Sequence, residues 1–125
     1  MATQSQFVHT NVRSSLVLVD NTGSSVLTGY AIENNGIQDA WLKFYVPDDP
    51  TDPINTTTTG ATPSLQIKIL AEDSKELFIG QRLAIESDGI WFFFGAFLIR
   101  ATTSPDDAST DSPNEGLIVG LKYNH

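Results

Sequence analysis

Asp39–Val46, DAWLKFYV, alternates without a break: Ala40, Leu42, Phe44 and Val46 fall on one side, and Trp41, Lys43 and Tyr45 on the other. A period of two sends successive side chains to opposite faces of a pleated strand, and no helical spacing fits the same residues. The pattern recurs to either side. Ser64–Ala71 sets Leu65, Ile67 and Ile69 against Gln66 and Lys68, and Gly116–Tyr123 lines up Leu117, Val119, Leu121 and Tyr123. Shorter β-branched or apolar runs at Ser15–Val19, Val26–Ile32, Glu76–Ile79 and Arg82–Ile85 read as further strands. Ile90–Ala101 reads as a strand pair or one bent strand, with Gly95 at the bend.

Turn chemistry separates these runs. Asp20-Asn21-Thr22-Gly23 and Asp88-Gly89 are turn clusters, and Asn34-Asn35-Gly36 is expected to supply the positive φ angles of a tight hairpin. Pro47–Pro63 contains four prolines and Thr102–Glu115 is acidic, so both read as long loops. Many short strands spaced by turns define an all-β fold, an antiparallel β-sandwich of jelly-roll or immunoglobulin-like type, with a partly open barrel as the rival. Residues 1–13 are polar without strand spacing and read as an extended arm, leaving 14–125 as a single sandwich domain.

A chain of 125 residues with 40% hydrophobic content is large enough for one core. Seven Lys and Arg against 15 Asp and Glu give a formal charge of −8. The cations Arg13, Lys43, Lys68, Lys75, Arg82, Arg100 and Lys122 are scattered, so neither nucleic acid nor an anionic membrane is an expected partner. The start, MATQSQFVHTNVR, lacks a basic segment followed by an apolar one, so synthesis in the cytoplasm is expected and the Asn55-Thr56-Thr57 sequon should stay unmodified. Cysteine is absent, which removes disulfides and thiolate chemistry.

Candidate chemistry is sparse. Asp48/Asp49/Asp52, Glu72/Asp73/Glu76 and Asp106/Asp107/Asp111/Glu115 could offer oxygens to calcium, but none follows the EF-hand spacing, and solvated loops are the simpler reading. A glycosidase-like carboxylate pair has nothing nearby to raise one pKa. His9 and His125 lie in terminal segments without an orienting acid, no serine sits in a nucleophile elbow, and no glycine-rich phosphate cradle occurs. No catalytic residue, metal ligand or cofactor is therefore expected. Trp41, Tyr45, Trp91 and Phe92-Phe93-Phe94 stand out, because aromatics on a strand can fill the core, stack on sugars or anchor a protein contact. Trp41, Tyr45, Trp91 and Phe93, with Phe7 and Val8 of the arm, are the candidate partner-binding residues.

Gly89–Asn124, GIWFFFGAFLIRATTSPDDASTDSPNEGLIVGLKYN, resembles the end of a small β-sandwich domain found in virion proteins of tailed bacteriophages. There a GI-x-F-x-x-G element leads to a strand ending A-T-T, then a loop of Asp, Thr and Pro, then an alternating strand closing in Tyr. ENNGIQDAWLKFYV resembles the N-x-x-x-x-x-A-Y-L-K-L-Y strand of that group, with Trp41 where Tyr is usual, and TTTTGATPSLQIKI its G-T-T-T-P loop and following strand. The likeness spans about Glu33 to Asn124, with Ser74–Ile85 departing from it. It implies a structural virion component, foremost a capsid decoration (cement) protein on the capsid exterior. Its partners would be the major capsid protein or other virion proteins, and it would form a homo-oligomer, with a trimer the expected form. The alternatives are a tail, neck or baseplate component, and a carbohydrate- or host-surface-binding module of a tail fibre that stacks sugars on Trp41, Tyr45 or Trp91.

Overall fold

The computed structural model describes residues 4–20, 24–49, 51–58, 60–78, 92–94 and 97–124. The strands are β1 (Gln4–Val12), β2 (Val17–Asp20), β3 (Ser24–Asn34), β4 (Ala40–Tyr45), β5 (Leu65–Ile69), β6 (Asp73–Phe78), β7 (Phe92–Phe94), β8 (Phe97–Thr102) and β9 (Leu117–Asn124), with one 3-10 turn at Pro53–Asn55. One antiparallel sheet runs β1-β9-β3-β6, and β7 pairs the first residues of β3 on the edge that β6 follows further along. The second sheet runs β2-β8-β4-β5. Apart from the short β7, this is the strand order of a jelly roll, in which β1/β2 and β8/β9 wrap from one sheet to the other. The expected sandwich is therefore present, in its jelly-roll form.

The alternating residues build the core as their period requires. Leu27, Ile32, Leu117, Val119, Leu121 and Tyr123 from the first sheet meet Ala40, Leu42, Phe44, Ile67, Ile69, Phe97, Ile99 and Ala101 from the second. Phe97 joins the layers: it stacks on Phe44 at 6.4 Å between centroids and meets Tyr123 edge-on at 5.5 Å. Both arrangements suit the ring quadrupole.

Two expectations come out differently. Residues 4–12 are extended, but they lie along β9 as a sheet strand, with Phe7 opposite Leu121 and Val8 opposite Gly120, and are not a free arm. Their single core-facing aromatic, Phe7, packs against the core, and backbone pairing needs no hydrophobic alternation of its own. Ala101 N donates to Arg13 O at 2.7 Å, so the chain passes to the opposite sheet directly after β1.

Asn34-Asn35-Gly36 is not a tight hairpin. β3 and β4 lie in different sheets, and the only glycines with positive φ among the described residues are Gly60 and Gly116. The buried Asn34 side chain shapes this crossover. Its Nδ2 donates to the carbonyls of Gln38 (2.8 Å), Ile69 (3.3 Å) and Leu70 (3.3 Å), while its Oδ1 accepts from Gly36 N at 2.9 Å. A Cβ at residue 36 would stand only 3.2 Å from that Oδ1, so glycine is there for a close approach.

Of the two readings of Ile90–Ala101, the strand pair holds, as β7 and β8, and the bend expected at Gly95 lies outside the described residues. β7 belongs to one sheet and β8 to the other. The proposed strand at Arg82–Ile85 lies outside the described residues, as does Trp91.

Candidate interaction edge and the buried cation pair

Each sheet has two edges, and a strand edge offers unpaired N–H and C=O groups to any passing chain. Among the described residues, β2, β5 and β6 carry charged residues, while β7, which continues the β6 edge, is only three residues long. β2 is four residues long and ends in Asp20; β5 carries the exposed Lys68; β6 contains Asp73, Lys75 and Glu76. β1 is different. Its nine residues, QSQFVHTNV, include no Asp, Glu, Lys, Arg or Pro, in a chain of net charge −8.

The flank beside β1 is apolar. β1 contacts β8, and Tyr123 Oη on β9 reaches Val19 O on β2 at 3.4 Å, so β1 and β2 share one side of the sandwich. Phe7, Val17 and Val19 pack against the core there yet stay only partly buried, and Val8 is 64% exposed. On β1, His9 stacks beside Phe7 with centroids 6.3 Å apart, and its Nδ1 accepts from Asn11 N at 3.1 Å. At its far end the β1–β9 register shifts between His9 and Val12. Gly116 fills that corner at φ 69, where an added Cβ would run into Asn11 Oδ1 and reach 3.3 Å from Val12 O.

The other candidates divide. Trp41 is partly exposed, with Lys68 Nζ 5.3 Å from its ring centroid. Tyr45 is only 3% exposed, which removes it from any sugar platform or partner surface. Phe93 lies on β7, and nothing beyond its pairing with Ser25 is described.

What withdraws Tyr45 is a feature that sequence reading passed over. Lys43 and Arg100 sit opposite each other on β4 and β8, on the sheet face away from the core, and are 0% and 1% exposed. Backbone carbonyls of the 103–116 loop hold them: Lys43 Nζ donates to Asp106 O at 2.8 Å and Arg100 Nη1 to Ser109 O at 2.8 Å. Arg100 Nε also donates to Tyr45 Oη at 3.0 Å, and its guanidinium lies 5.5 Å from the Tyr45 ring centroid. Arg100 Nη2 and Ser109 Oγ are buried without a hydrogen-bond partner. The loop is tied onward to the proline-rich loop by Gly60 N to Asp107 O at 2.9 Å and Thr62 Oγ1 to Asp107 Oδ2 at 3.1 Å. The cation pair thus pins both long loops over one sheet.

Two of the acidic clusters serve the same loops. Asp48 Oδ2 accepts from Thr57 N at 2.7 Å, Asp49 Oδ1 from Thr51 N at 2.9 Å, Asp52 Oδ2 from Asn55 Nδ2 at 2.6 Å and Asp106 Oδ1 from Ala108 N at 2.9 Å. The last three are the short-range turns that Asp favours, and the first closes the proline-rich loop across nine residues. The Thr51 hydroxyl and amide hold the Asp49 carboxyl below its ordinary pKa. Among the described residues no three His, Asp or Glu converge as metal ligands would.

Burial, then the adjacent Arg100, pushes the Lys43 ammonium below the ordinary lysine value near 10.5, with Asp107 and Asp106 opposing. Between the lowered folded value and the unfolded one, the unfolded chain binds more protons, so stability rises with pH across that window. Lys43→Met removes the titration. Urea unfolding from pH 7 to 10 should show wild type gaining stability relative to the variant as pH rises; parallel profiles would mean that the ammonium is not penalised.

Set against known protein families, curated proteins and solved structures, the chain matches none.

Proposed function

We propose that this chain is a non-enzymatic structural protein of a tailed-bacteriophage particle, a capsid decoration protein that stabilises the head by bridging capsid subunits. The observation that carries an assembly role is the β1 edge: long, free of charge and proline, and flanked by partly covered apolar side chains. Soluble proteins guard such edges unless they are used. Strand addition at an edge gives affinity through main-chain hydrogen bonds, and many weak copies on a lattice add up through avidity.

The virion setting rests on the sequence resemblance over Glu33 to Asn124, and on an analogy of fold, since jelly rolls recur in viral capsid proteins. An acidic exterior fits a particle surface, because it repels the packaged genome and other particles. The sugar-binding alternative is weakened by the burial of Tyr45 and by Lys68 beside Trp41.

The test is co-sedimentation with emptied heads assembled from the major capsid protein of the same genome. Wild type should pellet saturably, and Val8→Lys should weaken pelleting about tenfold or more. A chain that stays in the supernatant, or a variant that pellets equally well, would refute the proposal.

A further inference from the structure

Resting on the reading of β1 as an assembly surface, we infer that its occupant is a second copy of this chain: two β1 strands pair antiparallel about a two-fold axis through Val8. The first reason is charge. Two copies at −8 each repel, and an association edge must keep like charges apart. β1 meets that condition along its whole length, since none of its nine residues bears a carboxylate, ammonium or guanidinium group.

The second reason is self-complementarity. With Val8 opposite its own copy, Phe7 faces the second copy's His9 and Gln6 faces its Thr10. The outer face then carries Val8 against Val8, apolar and 64% exposed in the single chain. The inner face continues the Phe7–His9 aromatic stack across the junction. Aromatic and β-branched cross-strand pairs of this kind are the ones that stabilise antiparallel sheets.

The third reason is the flank. Phe7, Val17 and Val19 belong to the core but remain partly open on this side, and a second sandwich placed against the same edge covers them. A two-fold contact is isologous, so both copies bring the same open flank to the same junction. The product is a continuous sheet, β6-β3-β9-β1 joined to β1-β9-β3-β6 of the second copy.

The chain has no cysteine, so one introduced thiol reports a contact without interference. Val8→Cys under mild oxidation should give a covalent dimer. Gln6→Cys and Thr10→Cys should each stay single, yet cross-link when mixed after denaturation and refolding together. Asn35→Cys, exposed on the crossover between β3 and β4, sets the background rate. Val8→Lys, with its unfolding midpoint monitored to confirm the fold, should shift wild-type dimer to monomer in sedimentation equilibrium.

A Val8→Cys rate equal to that of Asn35→Cys, or a wild-type mass of one chain at high concentration, overturns the dimer. If Val8→Lys nevertheless abolishes capsid pelleting, the edge takes a foreign strand and only the self-pair is lost. A cross-linked dimer that ignores capsids keeps the self-pair and discards the decoration role.

Discussion

Arg100→Ala is expected to lower the free energy of unfolding by about 2–4 kcal/mol, the range for stripping a charged hydrogen-bonding side chain out of a packed site. Three observations set the size. Arg100 is among the largest fully buried side chains, its removal orphans Tyr45 Oη and Ser109 O, and it opens space beneath the 103–116 loop. Relief of its repulsion with Lys43 offsets part of the loss. For a domain of this size the midpoint of thermal unfolding should fall by roughly 10 °C.

Arg100→Met keeps most of the volume and should recover some of that drop. The loop supplies a second readout. Hydrogen exchange at Ala108 and Ser109 should quicken in Arg100→Ala even below the unfolding transition, because the guanidinium is what holds the Ser109 carbonyl in place. A change under about 1 kcal/mol with unaltered loop exchange would mean that the standing costs of this buried cation cancel its bonds.

Asn34→Ala should cost a similar amount, about 2–4 kcal/mol, through a different mechanism. One side chain here serves the carbonyls of Gln38, Ile69 and Leu70 and the amide of Gly36, all at the crossover between sheets. Alanine removes all four of these hydrogen bonds, two of them buried. Asn34→Asp separates hydrogen bonding from size, since it is isosteric but turns the donor into an acceptor facing three carbonyls. It should be at least as harmful as alanine at neutral pH. Its stability should then recover on acidification, because a buried carboxyl has a raised pKa and its protonated form can donate. Equal stability of wild type and Asn34→Asp at pH 7 would remove the side chain from any role in the crossover.

The readable parts of the sequence were those in which local periodicity and burial coincide. Asp39–Val46 and Gly116–Tyr123 became β4 and β9 nearly to the residue, and their alternating apolar sets form the facing layers of the core. The acidic clusters of the two long loops were read only as solvated loops; that Asp49 and Asp106 bond amides two residues ahead is seen in the folded chain. The β1 segment was missed as a sheet strand. An edge strand needs only one core-facing aromatic and a neighbour to bond, and QSQFVHTNV advertises neither.

The interaction residues divide in the same way. Val8 and Phe7 were named for an arm and stand instead on an exposed sheet edge, whereas Tyr45 was named for a surface and lies beneath Arg100. Alternation sets Lys43 on the face of β4 opposite Leu42 and Phe44. The alternation was right about direction. It could not reveal that a loop more than sixty positions later would fold over that face and offer the Asp106 carbonyl to its ammonium.

By itself, then, the sequence determined the all-β class and the apolar faces of the principal strands, because each depends on neighbours a few residues apart. Tertiary structure alone decided which sheet each strand joins, that Asn34 guides a crossover where a hairpin was expected, that two cations are buried side by side, and that β1 is, among the described residues, a long edge without a charge. Those features arise between residues far apart in the chain. Their energies depend on what is excluded from water or left unpaired, and only the folded arrangement sets that.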